Sequence, residues 1–177
     1  MRSNARRSPG ANTTTALRTP WLGAGRHHSQ IAGNTGGELR SALRGNGAKI
    51  CRINLKQGSQ PAYFYPDCLV VSDHPRFLSP EKDVIENPIL IAEVVSPTTE
   101  LFDSGPKFEK YKSIESLLAY LLISQTEPQV ELHSRQPGGE WLPSNAARLT
   151  ASVHIPAVES SLPLAGIYEY VEFTSPA

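Results

Sequence analysis

The sequence predicts a fold of the α+β (mixed α/β) class, and three observations predict it. The chain of 177 residues is long enough for one domain with its own core. Several short apolar runs punctuated by Gly and Pro are typical of strands. Two segments with apolar residues at helical spacing lie among them. The order of a helix, several strands, a second helix and further strands therefore favours a mixed fold over an all-α or all-β one.

The first helix is predicted from Ser29 to Arg44, where apolar residues recur at near-helical spacing. Two strands follow, at residues 48–55 and 62–71, with Gly and Pro between them. The run 89–95 is almost wholly apolar, which is typical of a strand covered on both faces.

The second helix is predicted to begin at Ser104 as its N-cap, with Pro106 in its first turn. It is expected to run to about Ser113. A strand pair follows at residues 118–124 and 129–136, ended by a Pro-Gly-Gly turn. The remaining chain is expected to hold small edge strands at residues 147–149, 153–155 and 167–173.

The composition limits the class of protein. Hydrophobic residues make up 39% of the chain and charged residues 19%, and no apolar run approaches the roughly 18 residues of a membrane span. We therefore expect a soluble, cytoplasmic protein with no membrane partner. The two cysteines, Cys51 and Cys68, are too few for a disulfide framework and lack metal-site spacing, so we expect both to be reduced.

The charge is distributed unevenly along the chain. The formal net charge is zero, from 17 basic and 17 acidic residues, which argues against coating nucleic acid by bulk electrostatics. Residues 1–37 nevertheless contain five Arg and no acid, so the rest of the chain carries a net charge of −5. The start of the chain is rich in Arg, Ser, Thr, Asn and Gly, a composition that cannot offset its ordering entropy. We predict a disordered basic tail at residues 1–25 and a single domain at residues 26–177.

Asp67, Glu93 and Lys107 are the candidate chemical groups. Asp67 and Glu93 are the only charges in their predicted strands, and a carboxylate isolated in an apolar strand is costly unless it is paired, protonated or bound to a metal. If the strands pair, both acids can bind a hard divalent cation such as Mg²⁺, and Lys107 can orient an attacking water or stabilise charge on a phosphate. Spacing alone leaves open the alternative of a structural ion pair between Glu93 and Lys107 or another lysine.

Other kinds of site are not indicated by the sequence. The adjacent His27 and His28 are expected in a loop or at a helix start rather than as a metal-ligand pair. The chain has no zinc-type histidine spacing, no phosphate-binding Gly-rich loop and no Gly-x-Ser-x-Gly nucleophile elbow.

Two blocks of the sequence resemble a known family. YPDCLVVSDH (65–74) and ILIAEVVSPTTELFDSGPKFEKYKSIESLLAYLLIS (89–124) are similar to the bacterial Uma-two family of restriction-endonuclease-like proteins, a branch of the PD-(D/E)XK nuclease superfamily. HHSQIAGN (27–34) and LPLAGIYEYVEF (162–173) extend the resemblance to roughly residues 26–173. It implies a restriction-endonuclease-like core, with a central mixed sheet flanked by helices and extra C-terminal strands.

The resemblance also implies a set of site residues. Pro66-Asp67 matches the first half of the signature and Glu93 matches its second acid. The superfamily lysine would lie two residues after that acid, where this chain has Val95, but the family places a lysine on the following helix, which Lys107 matches. The supporting positions that the resemblance implies are Asp103, Lys110 and Tyr111.

The function that this resemblance implies is a Mg²⁺- or Mn²⁺-dependent endonuclease that hydrolyses DNA phosphodiester bonds. Asp67 and Glu93 would hold the metal, and the acidic body would meet DNA through a local patch of Lys107, Lys110 and Lys112. A homodimer would let both strands be cut.

The alternative is a catalytically inactive or truncated family member that acts as a binding or interaction module. Family members usually carry a further helix and strand before the His-rich entry, and residues 1–25 show nothing like them. Glu38 is a weak candidate for an upstream acid, because exposure to solvent is favoured for it.

Overall fold

The structure of the chain, a computed structural model, describes residues 25–44, 49–51, 54–57, 62–72, 74–78, 80 and 84–173. The predicted basic tail at residues 1–25 lies outside the described residues except for Gly25. The described strands, numbered along the chain, are β1 (Lys49–Cys51), β2 (Asn54–Gln57), β3 (Ala62–Phe64), β4 (Cys68–Val71), β5 (Val84–Ile85), β6 (Pro88–Val95), β7 (Ala119–Ser124), β8 (Gln129–Arg135), β9 (Trp141–Ala147), β10 (Ser152–Ile155) and β11 (Ser160–Pro163).

A six-stranded mixed sheet lies at the centre of the fold, in the order β1-β4-β6-β7-β8-β9. The central pair β6 and β7 is parallel, and every other pair of neighbours in this sheet is antiparallel. Two small sheets, β3-β2-β5 and β10-β11, accompany it. The predicted mixed α/β class is therefore confirmed.

The described helices are α1 (Arg26–Ala42), α2 (Glu100–Phe102), α3 (Phe108–Lys112) and α4 (Leu164–Ile167), with a π-helical turn (Asp103–Lys107) between α2 and α3 and a 3₁₀ turn (Pro156–Val158) after β10. Within these described residues, no helix has the length and apolar character needed to cross a membrane.

The sheet is buried on both faces, and a different helix covers each face. Leu90, Ala92 and Val94 pack in a cluster with Ile31 and Leu39 of α1. The alternate residues of β6 pack on the other face in a cluster with Phe108 and Tyr111 of α3. Because side chains alternate along a strand, the continuous apolar run of β6 supplies both faces, as the sequence predicted.

The second helical segment begins earlier than the sequence predicted. It starts at Glu100, and Ser104 lies inside the π-helical turn, where its hydroxyl donates to the Glu100 carbonyl at 2.7 Å. Ser104 is therefore not an N-cap, and Pro106 is not in a first turn. Pro lacks the N–H that an α-helix interior needs, so the widened turn accommodates Pro106 within the segment.

Several predicted strands have other boundaries. The predicted strand at 62–71 is split into β3 and β4 by Pro66 and a bend at Asp67. The predicted strand at 153–155 lies within β10. The predicted strand at 147–149 is wrong, because β9 ends at Ala147 and Arg148 adopts a φ of 77°.

The predicted strand at 167–173 is also wrong, because the chain there forms the end of α4 and a turn. Its aromatic residues favour a strand by propensity, but the Tyr168 hydroxyl instead bonds the carbonyls of Ser124 and Gln129 at 2.9 and 2.7 Å. Tertiary contacts of Tyr168 thus override the local preference.

Candidate active site

The register of the central sheet brings the two predicted acids together. Cys68 of β4 pairs with Ala92 of β6 in an antiparallel ladder. Asp67 comes directly before Cys68 and Glu93 directly after Ala92, so the two acids lie at the same end of this strand pair. The site therefore forms where β4 begins and β6 approaches its end.

Asp67 is held by two hydrogen bonds, one to each carboxylate oxygen. The Nε2 atom of His28 lies 2.8 Å from Oδ1, and the Val94 backbone N–H donates to Oδ2 at 2.8 Å. The side chains of His28 and Asp67 are 22% and 21% exposed, so the pair lies at the mouth of the site. The hydrogen bond to Asp67 raises the pKa of His28, with burial opposing it.

Glu93 is the most deeply buried acid of the site and is 4% exposed. Its Oε1 atom accepts a hydrogen bond from the Tyr111 hydroxyl at 2.9 Å and lies 2.8 Å from the Lys107 ammonium. Burial raises the pKa of Glu93 to about 7, although Lys107 acts in the opposite direction. Burial and Glu93 also raise the pKa of Tyr111, which keeps that hydroxyl protonated as a donor.

Lys107 bridges two buried carboxylates. Its Nζ atom lies 2.8 Å from Glu93 and 2.9 Å from Asp103, which is one helical turn away in the same segment. Burial lowers the pKa of Lys107, but Glu93 and Asp103 together raise it above its ordinary value. Lys107 is therefore an ammonium at neutral pH, held between Glu93 and Asp103.

Aromatic packing fixes the segment that carries Lys107 and Tyr111. Phe108 stacks on Tyr120 of β7 with ring centroids 4.8 Å apart, and Trp141 meets Phe108 edge-on at 5.2 Å. The Tyr120 hydroxyl donates to the Asp103 backbone carbonyl at 3.0 Å. Arg135 donates to the Lys112, Ile114 and Glu115 carbonyls at the end of α3, where helix carbonyls lack partners of their own.

The two lysines of α3, Lys110 and Lys112, make contacts of a different kind from those of Lys107. The Lys112 ammonium pairs with Glu109 at 2.6 Å, and the Lys110 ammonium lies over the Phe64 ring at 5.5 Å from its centroid. The Lys107 side chain is only 13% exposed. The predicted surface patch of three lysines therefore lacks Lys107, because that residue points into the site.

His28 contacts Asp67 but was not among the site residues predicted from the sequence. His28 and Asp67 are 39 positions apart and lie on different layers of the fold, so no spacing rule connects them. The nearest signal in the sequence was the HHSQIAGN block at the start of α1, which carried the family resemblance without a role for either histidine.

Glu38, the weak candidate for an upstream acid, packs closely against Gly166 of α4. A Cβ atom added to Gly166 would lie 2.1 Å from the Glu38 Oε1 atom.

The donor set fits a hard divalent cation bound by two carboxylates. Within the ranges that the structure describes, no three side chains of the His, Cys, Asp and Glu types gather as a metal cluster. Mg²⁺ is nevertheless commonly held by one or two carboxylates and keeps several waters, and Asp67 and Glu93 supply that number.

The raised pKa of Glu93 predicts how stability depends on pH in the protein with chelator present. Unfolded Glu93 loses its proton near 4.5 and folded Glu93 near about 7, so between these values the folded state binds a proton that the unfolded state does not. Linkage then makes wild-type stability fall as pH rises through this window. Glu93→Gln lacks this titrating group. As pH rises across the window, the free energy of unfolding of the variant minus that of wild type should therefore increase by up to about 3 kcal/mol.

Chemical denaturation at a series of pH values measures this difference. The exposed Glu109→Gln variant is the matched control for loss of one carboxylate. If the difference between Glu93→Gln and wild type stays constant across the window, the pKa of Glu93 in the folded protein is not raised.

Comparison with known proteins finds a matching family model and two similar proteins. The model of the Uma2 family, described as "Putative restriction endonuclease", matches residues 20–165. Two uncharacterized proteins of Synechocystis sp. are similar: sll1609 is 31% identical over 70% of this chain and 71% of its own length, and slr1290 is 33% identical over 68% and 63%.

A solved structure is also similar to the chain. The crystal structure from Anabaena variabilis described as "a putative nuclease belonging to DUF820" matches with a TM-score of 0.64 over 82% of each chain, at 16% identity. A likeness at this level of identity shows a shared fold.

Proposed function

The chain belongs to the Uma2 family, and on that premise we propose that it is an endonuclease that hydrolyses DNA phosphodiester bonds with Mg²⁺ or Mn²⁺. Asp67 and Glu93 are the proposed metal ligands, and Lys107 is the proposed charge-stabilising group. The observation that carries the proposal is the pairing of β4 and β6, which brings Asp67 and Glu93 to the same end of the strand pair beside a buried lysine 2.8 Å from Glu93.

A bound metal ion would supply a water of lowered pKa and would neutralise charge on the phosphate. The chain's own groups hold the two acids that would bind it. The Val94 amide and His28 orient Asp67, while Tyr111 and Lys107 orient Glu93. A cation held by these acids would also favour the ionised form of Glu93, which burial opposes.

Lys107 is suited to a phosphoryl oxygen or to the attacking water. An ammonium has three N–H donors, and two of them are directed at Glu93 and Asp103. The third is the donor that would meet negative charge as it develops on the phosphate. Because Lys107 is fixed at two points before substrate arrives, little reorganisation is needed at that moment.

The Asp67→Asn variant tests this proposal. Asparagine keeps the size of the side chain and an acceptor oxygen but removes the negative charge, so we expect the cation to be held weakly and plasmid cleavage to fall by at least about a hundredfold. Supercoiled plasmid is incubated with wild type and variant in Mn²⁺, in Mg²⁺ and with a chelator, and nicked and linear forms are quantified. Glu131→Gln, which removes a carboxylate on β8 instead, is the matched control.

Cleavage by wild type that needs the metal and is lost in Asp67→Asn, but not in Glu131→Gln, would support the proposal. A folded wild type that leaves DNA intact with both metals would contradict it and would favour the binding-module alternative. Fluorescence anisotropy with labelled duplex DNA then tests binding without cleavage.

A further inference from the structure

We propose that His28 is a positioning residue for Asp67. In this role the imidazole fixes the carboxylate in the orientation from which it can share a divalent cation with Glu93. The inference rests on the proposed function for the metal, but the geometry it concerns is present in the chain without one. His28 was not among the site residues that sequence or resemblance indicated.

The first support is the way that Asp67 is held. Asp67 sits in a bend just before β4, so its own backbone is not fixed by ladder pairing at that position. Two donors on two different oxygens, His28 Nε2 and the Val94 amide, each at 2.8 Å, select one rotamer of the carboxylate. Loss of either donor would let the side chain turn toward solvent, to which it is already one-fifth exposed.

The second support is the rigidity of the helix that carries His28. Ile31 and Leu39 of α1 are fully buried against the sheet. Asn34 donates to the carbonyls of Ile167 and Glu169 at 3.1 and 2.8 Å. The imidazole in the first turn is therefore presented from a fixed support, as a positioning residue must be.

The third support is that different groups contact the two acids. Glu93 is held by Tyr111 and Lys107 from the α3 side of the sheet, whereas α1 packs on the opposite face. The groups that contact Asp67, His28 and the Val94 amide, are therefore different from the side chains that contact Glu93. Removing His28 should disturb one acid and leave the other in place.

The Val94 amide is the reporter for the test. Its hydrogen bond to Asp67 Oδ2 depends on the orientation of Asp67, and it is one residue from Glu93. Nuclear magnetic resonance spectra of ¹⁵N-labelled wild type, His28→Ala, His28→Gln and His27→Ala are recorded with chelator present. We expect the Val94 amide proton to move upfield in His28→Ala and to return toward wild type in His28→Gln, whose amide nitrogen can donate as Nε2 does. The exposed His27 is the matched control.

Calorimetric titration of Mn²⁺ into the same four proteins gives the second readout. His28→Ala is expected to bind Mn²⁺ about 10- to 100-fold more weakly, the usual effect of losing a group that orients a metal ligand, with recovery in His28→Gln. If His28→Ala does not fold, His28→Asn, whose side chain is too short to reach Asp67, gives the same comparison.

An unmoved Val94 amide in His28→Ala would overturn the inference, and so would a moved amide with unchanged Mn²⁺ affinity. If wild type itself binds no Mn²⁺, the proposed function fails, and an amide shift rescued by Gln would still show that His28 orients Asp67. The two failures are therefore distinguishable.

Discussion

Glu93→Gln is expected to reduce DNA cleavage by at least about a thousandfold while the protein stays folded. Glutamine has the shape of glutamate, and its carbonyl oxygen can still accept from the Tyr111 hydroxyl and from Lys107, the two donors that contact Oε1 in the wild type. What the substitution removes is the negative charge of the more buried of the two proposed metal ligands. The expected loss is therefore one of chemistry and not of packing.

Initial rates of plasmid nicking in Mn²⁺ measure this effect, and circular dichroism checks the fold. Glu109→Gln removes an acid from the exposed side of α3, and we expect it to cleave at the wild-type rate. Cleavage by Glu93→Gln at the wild-type rate would show that this acid has no part in catalysis.

Lys107→Met is expected to lower both stability and cleavage. Methionine fills a similar volume without charge, and the acids Glu93 and Asp103, which Lys107 contacts at 2.8 and 2.9 Å, would lose their shared counter-charge. Breaking a buried ion pair by removing one partner costs about 3–5 kcal/mol. Removing the donor directed at the phosphate is expected to slow cleavage by about a hundredfold or more.

Lys107→Arg separates the two effects. It restores the positive charge, so stability should largely return, but the planar guanidinium cannot place a single N–H at the point that the ammonium occupies. Cleavage should therefore remain reduced. Thermal unfolding and single-turnover cleavage are measured for both variants, with Lys112→Met as the control for loss of a partly exposed lysine paired with Glu109. Reduced stability of Lys107→Met with wild-type cleavage would identify the contact as a structural ion pair only.

The sequence was most informative where one feature stood out against a uniform background. Glu93 is the only charge in an eight-residue apolar strand. A continuous apolar run is typical of a strand covered on both faces, and β6 is covered in this way. From the sequence, Asp67 and Glu93 were expected to point to one side if their strands pair, and β4 and β6 do pair. Lys107 was a candidate from its place at the start of the next predicted helix, the family resemblance supported it, and the structure brings it within 2.8 Å of Glu93.

The features that were missed depend on contacts that no local pattern encodes. His28 meets Asp67 from another layer of the fold, and Tyr168 turns the C-terminal segment away from a strand by bonding to β7 and β8. The rule that places Pro in a first turn gave the wrong start for the second helical segment, because the π-helical turn accommodates Pro106 in the interior. In each case a tertiary contact or an uncommon turn outweighed the local preference.

The proposal that Asp67 and Glu93 together bind one divalent cation is tested most directly by calorimetric titration of Mn²⁺ into wild type and Glu93→Gln. We predict saturable binding of one Mn²⁺ per chain to wild type and loss of that binding in Glu93→Gln. No saturable binding to folded wild type, or equal binding to both proteins, would contradict it.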